Sequence, residues 1–138
     1  MAAGRYSFVI EQGATTDFEV VYKDSTNTPF DLTGHHAKMQ IRSNYGASGI
    51  LYLTLSSSLD NCGMGLNLSG SQSSIGYPKP LSSGSIGIYI TGYSSSYLNF
   101  NEAYYDLEII SGSGHCATIT RIIEGKVQLS KEVTLGNY

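Results

Sequence analysis

Residues Tyr105–Thr134 read YDLEIISGSGHCATITRIIEGKVQLSKEVT, and the periodicity of this stretch decides the fold class. Tyr105, Leu107 and Ile109 alternate with Asp106 and Glu108, the two-residue period of a strand with one dry face. Ser111-Gly112-Ser113-Gly114 can turn the chain at no steric cost, and Ala117–Glu124 returns as a second strand rich in Thr and Ile. A short Gly-bearing loop between two apolar runs predicts an antiparallel hairpin. Gly125 interrupts the return strand before Lys126, Val127, Gln128 and Leu129 resume the alternation. A glycine there suits a bulge, or a bend that passes the chain from one sheet to another. The earlier strands are expected to pack on this hairpin.

Outward from it, the same period recurs. Tyr6, Phe8 and Ile10; Phe18, Val20 and Tyr22; and Ala37, Met39 and Ile41 each form the apolar half of an alternating run. The sets Leu51, Leu53, Leu55; Met64, Leu66, Leu68; and Ile86, Ile88, Ile90 continue the pattern. Asp24–Pro29 is a turn cluster, and Phe30-Asp31-Leu32-Thr33-Gly34 reads as a corner with Phe30 and Leu32 tucked inward. The first strands read as a regular meander. Residues 69–85, rich in Ser, Gly and Pro, read as a loop or insertion, and Gly92–Leu98 as one helical turn with Ser94 as the candidate cap. About seven to nine short strands without a long helix predict an all-β chain, a single antiparallel β-sandwich or small barrel over residues 1–138.

Composition narrows the partners. Charged residues make up 14% of the chain, against roughly 25% in ordinary soluble domains. Ser, Gly, Thr and Tyr fill the surface instead, which fits either a protein covered by neighbours or a β protein with many turns. With a net charge of −3 and eight scattered Lys and Arg residues, there is no basic stripe for nucleic acid. No run has the ~18 apolar residues of a membrane span, and no signal peptide is recognisable. Cys62 and Cys116 lie too far apart to read as a disulfide framework and are expected to be free, partly buried thiols.

No catalytic constellation emerges. No serine stands in a Gly-x-Ser-x-Gly elbow, and His35-His36 and His115-Cys116, read as strand neighbours, point to opposite faces. A zinc site drawn from them needs a tertiary coincidence. Asp106 and Glu108 share a strand face, with Glu124 a candidate opposite them on the return strand, and carboxylates so placed more often meet cross-strand Lys or Arg than do glycosidic chemistry. No phosphate, calcium or dinucleotide loop is present, so neither a cofactor nor an enzymatic role is expected. The tyrosines carry the functional expectation: eleven Tyr stand against four Phe and no Trp. Exposed Tyr gives large contact area at low entropy cost, so Tyr77, Tyr93, Tyr97 and Tyr104 are the candidate interface residues. Their ordinary reading is sheet propensity with the hydroxyl in solvent.

Six segments form an ordered set: Phe8-Val9-Ile10-Glu11-Gln12-Gly13, Phe30-Asp31-Leu32-Thr33-Gly34 and Ala37-Lys38-Met39-Gln40-Ile41-Arg42. Tyr105-Asp106-Leu107-Glu108, Thr120–Val127 and Ser130-Lys131-Glu132-Val133-Thr134 complete it, and it spans nearly the whole chain. Taken in order, these segments resemble a group of small tailed-phage virion proteins found among tail, baseplate and fibre components. Residues 62–85 depart from the pattern as a local elaboration. The resemblance implies an immunoglobulin-like or related β-sandwich with a structural role in the tail or baseplate of the virion. Such a chain would be made in the bacterial host cytoplasm and bind other virion proteins and copies of itself, with no catalytic residue. A capsid decoration or neck connector would use the same physics. A carbohydrate-binding module, with Tyr stacked on glycan rings, is the remaining alternative.

Overall fold

The alternating sets above become strands because each buries one face. The computed structural model describes residues 4–46, 48–70 and 79–134. In chain order the strands are β1 Gly4–Arg5, β2 Phe8–Glu11, β3 Thr16–Val21, β4 His35–Arg42, β5 Leu51–Ser56, β6 Gly65–Asn67 and β7 Ser85–Ile90. A helical turn, α1 Gly92–Ser96, leads to β8 Glu102–Ser111 and β9 Thr118–Ser130. The fold is an all-β sandwich of two sheets. The larger runs β1-β9-β8-β4-β5, with β2 also on β9; the smaller runs β3-β7-β6.

The expected hairpin is β8 paired antiparallel with β9, from Glu102 opposite Gln128 to Ser111 opposite Thr118. Tyr105, Leu107 and Ile109 are buried, as are Ala37, Met39 and Ile41 on the adjoining β4. Ile86, Ile88 and Ile90 of β7 meet them from the smaller sheet in one continuous core with Leu32, Leu66, Phe100 and Val127. Burying such side chains is worth roughly 1.5–3 kcal/mol each. The corner before β4 is clamped locally. Asp31 Oδ1 accepts from Thr33 N at 3.0 Å and Thr33 Oγ1 at 2.6 Å, which places Leu32 in the core. Asp24 Oδ1 holds the preceding turn through Thr26 N, Thr26 Oγ1 and Thr28 N. These bonds, led by the Thr hydroxyl in each case, hold both carboxyls below the usual aspartate value.

Several expectations are corrected. The opening strands form no meander: β1 and β2 lie parallel to β9, β3 joins the other sheet, and β4 returns between β5 and β8. The sandwich is therefore mixed rather than wholly antiparallel. Gly125 neither bulges nor switches sheets, since it pairs with Tyr105 inside the larger one. Its small size serves a close approach: a Cβ there would collide with the Tyr6 carbonyl and lie 3.3 Å from the Tyr105 ring. The bulge sits just before it, where Leu107 faces Ile123, Glu108 faces Arg121, and Ile122 is the extra residue. In β5 a second irregularity pairs Ile41 with Leu53 but Arg42 with Leu51, so Leu51 is exposed while Leu55 is buried. Residues 71–78 of the expected insertion lie outside the described residues. Its flanks are tied to the smaller sheet by a Gly70–Ile86 bridge and a Lys79–Glu19 ion pair.

Candidate interaction surface

The two most exposed aromatic side chains among the described residues belong to the helical turn α1 and its C-cap, at the end of β7. Its start is fixed by a helix cap: Thr91 Oγ1 accepts from Ser94 N at 3.2 Å. Thr91 thus holds the role expected of Ser94, because a cap hydroxyl serves the orphan amide three residues on. Ser95 is fully buried. Its Oγ accepts from Gly13 N at 3.0 Å and donates toward Ala14 O at 3.0 Å, with Gly92 O at 3.1 Å. Gly92 packs on the same loop, where a Cβ would stand 2.7 Å from the Gly13 carbonyl. Gln12 Nε2 donates to Leu98 O at 2.8 Å, and Gln12 Oε1 accepts from Glu132 N at 3.2 Å. The turn is thereby pinned to the β2–β3 loop on one side and to the residues after β9 on the other.

What this anchoring presents is Tyr93 and Tyr97, 57% and 71% exposed. One helical turn apart, their rings meet edge-on with centroids 5.2 Å apart, and Tyr97 Oη donates to Tyr93 Oη at 3.1 Å. The two rings already hold each other, so covering them would cost little further side-chain entropy.

The other candidates do not join it. Tyr104 sits on the outer face of the larger sheet, its ring 4.7 Å from Tyr45 and 6.0 Å from the Lys126 ammonium. A cleft of about 160 Å³ opens there among Gln40, Arg42, Tyr45, Tyr104 and Arg121. Tyr77 lies outside the described residues. Tyr45, the partner of Tyr104, was missed, since its loop carries no periodicity. Ser95 was missed because nothing marks it among three consecutive serines.

Asp106, Glu124 and Glu102 of this outer face have basic partners. Arg121 Nε lies 3.3 Å from Asp106 and its Nη1 3.5 Å from Glu124, while Arg5 reaches Glu124 at 3.9 Å. Lys126 and Glu102 form a further pair at 3.6 Å. His115 and Cys116 lie in a single 3₁₀ turn, not on a strand, because the hairpin loop is longer than the glycines suggested. Both cysteines are free and exposed rather than partly buried. Among the described residues no three His, Cys, Asp or Glu side chains stand together as a metal site. No helix among them is long and apolar enough to cross a membrane. No protein-family model matches the chain, and no curated protein matches it.

Proposed function

We propose that the chain is a non-enzymatic structural component of a tailed-phage virion, a tail, baseplate or fibre-attachment protein working in several copies through protein–protein interfaces. The observation that carries the interface part of this reading is the anchored Tyr93–Tyr97 pair. A rigid, exposed aromatic patch on a surface of low charge matches the composition of the buried centre of an interface. The virion part rests on the resemblance of the ordered segments from Phe8 to Thr134. The sandwich supplies a rigid frame, and Gln12, Ser95 and Thr91 hold the aromatic patch to it.

Mass spectrometry and immunogold labelling of purified virions test the address. Gold at the distal tail is the expected result, label over the head or neck supports a decoration or connector role, and true absence from the particle refutes the proposal. The Tyr93→Ala, Tyr97→Ala double variant is expected to fold normally and to assemble poorly. A glycan array on the isolated chain is expected to be blank; binding lost in the same double variant would establish the carbohydrate-binding alternative.

A further inference from the structure

Four sheet edges are open among the described residues, and they are not equivalent. β5 carries the irregularity beside Ile41 and Arg42, and β6 is three residues long. β3 carries Asp17 and Glu19, so a second β3 laid against it would oppose acid to acid. Bulges, shortness and like charges are the usual protections against edge pairing. The edge formed by β1 and β2 carries no register shift and no like-charge pair, and its one irregularity is at Tyr6 and Ser7, where the Ser7 hydroxyl accepts from Lys126 N. Arg5 pairs with Glu124 and Phe8 with Val127 in one unbroken register, so residues 4–11 run as a single extended edge across the short gap at Tyr6 and Ser7.

The hydrogen-bond phase of this edge is fixed. Tyr6 N donates to Glu124 O at 3.0 Å and Gln12 N to Ser130 O at 2.8 Å, so the even-numbered backbone groups face β9. The groups of Ser7 and Val9 therefore face the open side. Val9 is 53% exposed, and Tyr6, stacked on Phe8 and tilted against Phe18, stands at the mouth of an open groove between β2 and β3.

The sequence along the edge, Arg5-Tyr6-Ser7-Phe8-Val9-Ile10-Glu11, is charge-complementary to itself when reversed. We propose that this edge is a self-association surface whose partner is a second copy of the chain, paired antiparallel about a two-fold axis through Phe8. In that register Arg5 of each copy faces Glu11 of the other, and Ser7 faces Val9. The odd-numbered residues meet as four hydrogen-bonded pairs, adding about eight backbone hydrogen bonds. The exposed Tyr6 ring comes to lie opposite Ile10 of the second copy. Shifting the pairing by two residues in either direction keeps the hydrogen-bond phase but loses both charge pairs, so charge selects this register. The two larger sheets become one continuous sheet with an isologous seam.

This inference deepens the proposed assembly role by naming one partner and one surface, and its test needs no virion. Sedimentation equilibrium of the full chain is expected to show a monomer–dimer equilibrium that weakens with salt. Glu11→Arg or Arg5→Glu alone places like charges at both ends of the seam and is expected to weaken self-association on the order of tenfold. Both residues are exposed, and circular dichroism should show that each variant keeps its fold. Mixed in equal amounts, the two variants become complementary and should form heterodimers at the wild-type strength. A chain that stays monomeric into the millimolar range refutes the seam. So does a dimer indifferent to both reversals, or a mixture that fails to recover. Any of these outcomes leaves the virion address untouched, since labelling of particles decides that separately.

Discussion

Tyr105→Phe isolates the bond that holds the N-terminal strand to the sandwich. The Tyr105 hydroxyl donates to the Tyr6 carbonyl at 2.5 Å, at the gap in the edge where Gly125 makes room for that carbonyl. Phe keeps the ring and its edge-on contact with Phe8, whose centroid is 5.0 Å away, so no cavity opens. The loss is therefore one partly buried hydrogen bond with its acceptor left unpaired, about 1–3 kcal/mol. With a urea m-value of about 2 kcal/mol/M for a domain of this size, the midpoint should fall by about 1 M at constant m. The pH dependence supplies a second check. Burial, reinforced by Tyr6 and Tyr45, raises the folded-state pKa of Tyr105 above the ordinary phenol value of 10.0. A raised pKa means the folded state holds the proton more tightly, so this contribution is complete below pH 10 and is lost as the pH rises further. The gap between wild type and variant should then narrow above pH 10. A midpoint change below about 0.2 M, or a gap that stays constant into the alkaline range, would refute the role given to this bond.

Two further substitutions follow from the same anchoring. Ser95→Ala removes the hydroxyl that serves Gly13 N and Ala14 O, and should cost about 1–3 kcal/mol. Hydrogen exchange at Gly13 should accelerate and partner binding through Tyr93 and Tyr97 should weaken, while unchanged exchange would show that the turn stands without Ser95. Gly125→Ala forces the Tyr6 carbonyl away and should destabilise by about 1–3 kcal/mol, the usual range for overpacking. The amides of Tyr6 and Gln12, both bonded to β9, should lose protection first; protection lost evenly across both sheets would count against a local effect.

Alternation along the chain is enough to read the class of fold and, β5 apart, the dry face of the strands; in β5 the register shift leaves Leu51 exposed. Side chains alternate across a strand whatever its neighbour, so Ala37, Met39 and Ile41, or Ile86, Ile88 and Ile90, declare their burial without the partner being known. The β8–β9 hairpin was legible too, because its closing loop is local. Which strands pair is set by tertiary packing, since period two carries no information about partner or direction. Hence the parallel docking of β1 and β2 on β9 and the transfer of β3 to the smaller sheet went unseen. The exposure of Tyr93 and Tyr97 was anticipated, but the Ser95 hydroxyl that fixes their turn was not. Its partners lie 81 and 82 residues away, at a distance that no local pattern can encode.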